Sequence, residues 1–280
     1  MGFRLANIEG RAALVVDDHA HDLHAASEGR LGPDVLGALA EAGRLHELAD
    51  DLADSDRTAE HRLADIELGP PVPNPRHVFA VGLNYRTHAA ETGAALPSAP
   101  LIFTKFPGCL TGPAATVELA SDTTDYEAEL VVVIGAQGRD IAVGDAWGAV
   151  AGLTCGQDLS DRALQNAGER PQFSLGKSHD GFGPTGPYVV SPDLLEDRDD
   201  LAIACRVNDD ERQSDTTANL IFSVPELVAY LSSMLTVYPG DLIFTGTPSG
   251  VGLPTKNFLR SGDVVTTTIA GLGELTTRLR

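Results

Sequence analysis

Short apolar runs broken by glycine and proline dominate the chain, and only a few stretches repeat their apolar positions at helical spacing. Phe3 to Ile8 and Ala12 to Val16 read as two short strands, and Pro33 to Leu48, with Val35, Leu36, Leu39, Leu45 and Leu48, reads as a helix. Pro70, Pro71, Pro73 and Pro75 then form a stiff, extended connector. The pattern predicts a small α/β unit at 1–69, a proline-rich linker at 70–75 and a larger body at 76–280. In that body short strands alternate with glycine and proline turns, and helices are expected from near Asp158 and over Val224 to Leu235. The fold class is mixed α/β, predominantly β.

One apolar run begins with charge. Asp125, Tyr126, Glu127, Ala128 and Glu129 lead straight into Leu130, Val131, Val132, Val133 and Ile134. Residues two apart on a strand share a face, so Glu127 and Glu129 stand about 7 Å apart along it. Two buried anions on one face repel each other unless a cation lies between them or one takes up a proton. A third carboxylate, Asp158, ends the run Ala151 to Gln157, with Arg162 at i+4 and Gln165 at i+7 of the expected helix. An all-oxygen set of two Glu and one Asp suits Mg2+ or Mn2+, could accept Ca2+, and disfavours zinc. A lone Glu-x-Glu is usually a solvated strand face, and Asp158, Arg162 and Gln165 alone could be an exposed helical ion pair. Their combination with Lys177 favours the metal site. The chain has only the lysines Lys105, Lys177 and Lys256, and Lys177 enters a Gly/Pro-rich loop of the kind that positions functional groups.

Composition narrows the partners. In 280 residues, 42% of them hydrophobic, there is ample material for a core, and a formal charge of -20 excludes nucleic acid and anionic membrane as partners. Cys109, Cys155 and Cys205 lack metal or redox spacing and are expected to be reduced core residues. No targeting signal stands at the N-terminus and no apolar run approaches the ~20 residues that span a bilayer, so a cytoplasmic protein is expected. Three other patterns carry little. His19, His21, Asp22 and His24 read as a polar turn after a strand, and the acidic run Asp50, Asp51, Asp54 and Asp56 as a solvated face. Gly181, Gly183 and Gly186 have dinucleotide-loop spacing, but Pro184 interrupts the helix start that such a loop needs. Ser178 and Ser249 lack the Gly-x-Ser-x-Gly elbow.

Several ordered blocks together resemble the fumarylacetoacetate hydrolase family over about residues 75 to 280. They are Val81 to Tyr85 with His88 and Glu91; Glu127 and Glu129; Asp158, Arg162 and Gln165; Gly176 to Ser178; Val207 and Asn208 with Arg212 and Gln213; and Pro239 to Asp241 leading to Thr245 through Gly252. The resemblance implies a rolled mixed β-sheet, a metal held by Glu127, Glu129 and Asp158, and small anionic 2-oxo or 2,4-dioxo acid substrates. It also implies a homodimer, and a water oriented and activated by His88 with Glu91, which as an isolated i,i+3 pair would read as a surface contact. Such a substrate must overcome the chain's negative field, for which Arg86, Arg162 and Lys177 are the candidates.

The expected reaction is hydrolysis of a carbon-carbon bond in a 2,4-dioxo acid of the acylpyruvate or fumarylpyruvate type. Arg162, Gln165 and Thr247 would hold the polar ends of the substrate, and Lys177 would help stabilise a pyruvate enolate. Isomerisation of a hydroxydienedioate, hydration, or oxaloacetate decarboxylation stays open, as does, remotely, a non-catalytic metal-stabilised binding protein. Gln157 stands where the family often has Asn, and His179 where an aromatic commonly follows the Lys-Ser pair. Neither is expected to touch a predicted metal ligand, but both could alter substrate choice.

Overall fold

The structure is a computed structural model that describes residues 2–54, 59 and 61–280. Its fold is mixed α/β and strand-dominated, built on two open sheets. The larger sheet runs in the order His61–Arg62, His19–Asp22, Arg11–Val16, Arg4–Ile8, Gly183–Val190, Val150–Gln157, Ala128–Ile134, Leu242–Phe244, Val78–Gly82 and Leu101–Thr104. The N-terminal strands are continuous with this sheet, because Arg4 and Leu5 pair with Val190 and Val189. Leu242–Phe244 runs parallel to Val78–Gly82 and antiparallel to Ala128–Ile134. The smaller sheet runs Asp210–Thr216, Ala202–Val207, Val264–Ile269, Gly273–Leu279 and Ala114–Val117.

Every residue of Ala128–Ile134 is buried, and alternation divides the strand between two cores. Leu130, Val132 and Ile134 join Leu153, Ile203, Val265 and Leu275 between the sheets. Val131 and Val133 face the other way, toward Phe244 and the N-terminal Phe3, Leu39 and Leu45. Period two carries Glu127 and Glu129 onto this second face. Apolar residues of the N-terminal part thus cover one stretch of a sheet face whose continuation is polar.

Two expectations need correction. The helix over Pro33 to Leu48 is two helices, Val35–Leu39 and Ala42–Ala53, each with its own buried stripe. The six-residue gap between Leu39 and Leu45 fits no single helical face, and the chain turns there. His19–Asp22 is a strand paired with Arg11–Val16, not a polar turn; the turn is Asp17-Asp18. Asp56 of the acidic run lies outside the described residues. The helix over Val224–Met234 forms as expected, with Pro225 in its first turn and a capping box in which Glu226 accepts from Ser223 N–H at 2.8 Å. No helix among the described residues is long and apolar enough to cross a membrane.

Candidate active site

Glu127 and Glu129 open the central strand, and Asp158 follows Val150–Gln157, the strand paired beside it. One carboxylate oxygen from each of the three lies within 4.8 Å of the others, and all three side chains are buried. Asp158 does not start a helix. The chain after it pairs Ser160–Asp161 with Thr124–Asp125, and a single helical turn, Arg162–Gln165, begins only where Asp161 caps the backbone N–H groups of Ala163 and Leu164. Arg162 and Gln165 reach the site from that turn rather than from a common helical face with Asp158.

Cations surround the triad unevenly. The Lys177 ammonium, at the end of the Phe173–Gly176 turn, donates to Glu127 Oε2 and Asp158 Oδ2, both at 2.6 Å. Lys105, fully buried, donates to Asp158 Oδ1 at 2.7 Å, to the Phe182 carbonyl at 3.1 Å and to the Lys177 carbonyl. Arg162 donates through Nη2 to Glu127 Oε1 at 2.5 Å, through Nε to Asp125 Oδ2 at 2.9 Å and through Nη1 to Gln165 Oε1 at 3.0 Å. Asp125 is itself anchored by the N–H groups of Gly252 and Leu253 at 2.7 and 3.0 Å.

Glu129 differs from its partners. It accepts the Gly246 N–H at 2.7 Å and has no ion pair among the described residues. Gly246 makes this approach at φ +101°, where a Cβ would sit 2.8 Å from Asn84 Cβ. The electrostatics diverge accordingly. Burial opposes ionisation of Glu127, but Lys177 and Arg162 overcome it and hold the carboxyl at about 2. Burial, then the charges of Asp158 and Glu127, push Glu129 well above the ordinary carboxylate range. Burial disfavours the Lys177 ammonium, yet Asp158 and Glu127 outweigh it and keep the lysine charged. Three clustered oxygen donors, one lacking a counter-cation, fit a divalent ion. Such an ion, when bound, supplies Lewis-acid polarisation of a substrate carbonyl.

The His88 and Glu91 pair forms on the helix Arg86–Thr92, with His88 Nδ1 and Glu91 Oε2 3.1 Å apart. Glu91 Oε1 accepts the Gly250 N–H at 2.9 Å, and Thr87 donates to Asp215 at 2.6 Å, so this helix is latched to the 246–252 loop and to the smaller sheet. His88 is near enough to Glu127 to add to the pull on that carboxyl. Thr247 Oγ donates to the Ala128 carbonyl at 2.8 Å and accepts from Gln213 Nε2 at 2.8 Å. Arg86 is exposed at the first position of its helix, outside this network.

Four residues of the network were not assigned a role from sequence. Lys105 carried one signal, the scarcity of lysine, and Asp125 carried another, since it stands two residues before Glu127 and continues the period-two spacing of the Glu pair. Gln157 and Gln213 are buried amides: Gln157 Oε1 accepts the Glu127 N–H at 2.5 Å, and Gln213 Oε1 accepts the Ala128 N–H at 3.0 Å. Gln157 therefore does bear on a predicted ligand, through its backbone, contrary to expectation. His179 lies 3.3 Å from Asp161 and edge-on to Phe182.

A strand pair thus buries three carboxylates among two lysines and an arginine, and the helix that carries His88 and Glu91 is fastened to the same loop that clamps Glu129. The chain belongs to the fumarylacetoacetate hydrolase family: residues 77–280 match the model of the fumarylacetoacetate (FAA) hydrolase C-terminal domain. The oxaloacetate tautomerase YisK of Bacillus subtilis (strain 168) is 40% identical over 250 residues, spanning 86% of this chain and 82% of that protein. A crystal structure from Mycobacterium smegmatis that bears a provisional HpcE name is 48% identical, with a TM-score of 0.92 and coverage of 99% and 98% of the two chains. Maleylpyruvate hydrolase from Sphingobium sp. SYK-6, in complex with manganese (II) and pyruvate, is 29% identical, with a TM-score of 0.81 over 99% of this chain and 98% of that one.

Proposed function

We propose that the protein interconverts the enol and keto forms of a small 2-oxo dicarboxylic acid, oxaloacetate being the substrate supported best, with Mg2+ or Mn2+ held by Glu127, Glu129 and Asp158. The observation that carries this reading is the unpaired, buried Glu129 beside Glu127 and Asp158, on a chain 40% identical to an oxaloacetate tautomerase over 86% of its length. Tautomerisation moves one proton between the 2-oxygen and C3. His88, oriented by Glu91, is the group suited to take and return it, since an imidazole held in one tautomer works as acid or base near neutral pH. Lys177 offers a fixed positive charge to the carboxylate or to the developing enolate. Arg162 is engaged with Asp125 and Glu127, so it orients a ligand as well as adding charge, and Gln165 keeps its amide N–H groups for the substrate. Arg86 would attract the anion from outside. A homodimer is part of this proposal.

A second reading, hydrolysis of a 2,4-dioxo acid, is favoured by the same His88 and Glu91 pair acting on water, and by likeness to maleylpyruvate hydrolase. Oxaloacetate enol, an acylpyruvate and a hydroxydienedioate assayed side by side with Mg2+ and Mn2+ separate the readings. Metal-dependent loss of the oxaloacetate enol signal, faster than turnover of the other two, is expected. Glu129→Gln should abolish it together with the metal-induced rise in melting temperature, which corresponds to about 2.7 kcal/mol when metal is 100-fold above its dissociation constant. Full activity after exhaustive chelation would sink the proposal.

A further inference from the structure

The ring of Tyr85 is wholly buried, and its hydroxyl has no hydrogen-bond partner among the described residues. The position is rigid. Leu83 turns the chain at φ +53°, and Asn84 then fixes it through Nδ2 to the carbonyls of Thr245 and Phe222 at 2.8 and 3.0 Å and through Oδ1 from Phe222 N–H at 2.8 Å. Tyr85 itself pairs with Leu220 as it enters the Arg86–Thr92 helix. The neighbouring backbone is that of the triad's own clamp: Thr245 precedes Gly246, which packs against Asn84 and donates to Glu129.

A buried hydroxyl normally finds a partner. Burial first, then the charges of Glu129 and Asp215, keep the phenol protonated far above neutral pH. Neither carboxylate is within hydrogen-bonding distance, so the group is a held donor lacking an acceptor. Lys177 reaches Glu127 and Asp158 from one side of the triad. Tyr85 follows Asn84, which packs against the Gly246 clamp of Glu129, the member that Lys177 does not touch.

We propose that the Tyr85 hydroxyl is a catalytic residue that donates a hydrogen bond to a negatively charged oxygen of the bound 2-oxo acid, on the Glu129 side of the triad and opposite Lys177. No proton is transferred; the donor stabilises charge as the enolate develops, the geometry in which a fixed donor contributes most. This inference rests on the 2-oxo acid reading of the site. It also predicts that the free protein carries the cost of an unpaired hydroxyl that substrate relieves.

Tyr85→Phe keeps the ring and removes only the donor. Oxalate, whose paired carboxylates resemble the charged end of an enolised 2-oxo acid, is the probe, titrated calorimetrically into the Mn2+-loaded protein. The variant is expected to bind oxalate about 10- to 100-fold more weakly, the range for a hydrogen bond to a charged group. Its melting temperature without metal or oxalate should be equal to or above that of the unmodified protein. Turnover of oxaloacetate enol should fall about 100-fold, as when one oxyanion donor is removed. Oxalate affinity within about threefold of the unmodified protein, or a lower melting temperature of the free variant, overturns the inference; the latter would show that the hydroxyl is already partnered within the fold. Failure of the oxaloacetate reading would instead appear as no turnover by the unmodified protein while the oxalate difference persists. An unmodified protein that binds no oxalate removes both.

Discussion

Replacing Lys105 by Met tests whether the buried charge network is a set of pairs or a collection of independent contacts. The substitution fills a similar volume but removes three donated hydrogen bonds, to Asp158 Oδ1 and to the carbonyls of Phe182 and Lys177. Breaking one partner of a buried ion pair costs about 3–5 kcal/mol. Asp158 keeps Lys177 on its other oxygen, which places the expected loss in the lower half of that range. With unfolding entropy of about 2.1 cal/mol/K per residue over 280 residues, the midpoint should fall by about 5–7 °C. Calorimetry of metal-free protein measures this directly. In the double variant Lys105→Met with Asp158→Asn the stranded charge is gone, so the combined loss should be smaller than the sum of the single losses by about 1–3 kcal/mol. A shift below about 2 °C for Lys105→Met, or strict additivity in the cycle, would refute the reasoning.

Three further outcomes are expected. His88→Ala should reduce turnover by about 100- to 10,000-fold, while calorimetric metal titration gives an unchanged dissociation constant; metal binding lost in step with activity would contradict the role. Gly250→Ala places a Cβ 1.9 Å from the Arg212 carbonyl at a φ of +103°, so at least about 1–3 kcal/mol of stability and the Glu91 latch should be lost, and a variant matching the parent in melting temperature and turnover would count against the latch. Cys109, Cys155 and Cys205 are all fully buried, and burial pushes the Cys155 and Cys205 thiols up to about 12. A thiol-disulfide reagent at mildly alkaline pH should therefore titrate none in the folded protein and all three after denaturation; rapid native labelling would be inconsistent with this burial.

How much of this was legible in the sequence depends on the range of each interaction. Glu127 and Glu129 were readable because period two and the following Val131 to Ile134 place them on one buried face, and Lys177 because lysine is scarce. The path from Asp158 to Arg162 was misjudged because a four-residue spacing mimics a helix, whereas Asp161 caps a turn that starts later. The partners of Arg162 were invisible for a different reason. Asp125 binds it from 37 residues away and is held in turn by Gly252 from 127 residues away, and no local pattern encodes such pairings. The helix break between Leu39 and Leu45 was legible in principle, since the gap violates helical spacing.

The clamp on Glu129 is made by Gly246, 117 residues further along the chain, and the strand that delivers it pairs with residues synthesised earlier still. At about 5–20 residues per second on a ribosome, both glutamates emerge roughly 6–23 s before their clamp exists. If Glu127, Glu129 and Asp158 hold the metal as proposed, its loading is a late event in the life of this polypeptide, gated by synthesis of the Gly246 segment rather than by exposure of the ligands. A chain released before Gly246 should show no tight Mn2+ binding in equilibrium dialysis, although Glu127, Glu129 and Asp158 are all present; tight binding by that fragment would mean the ligands organise themselves without the clamp.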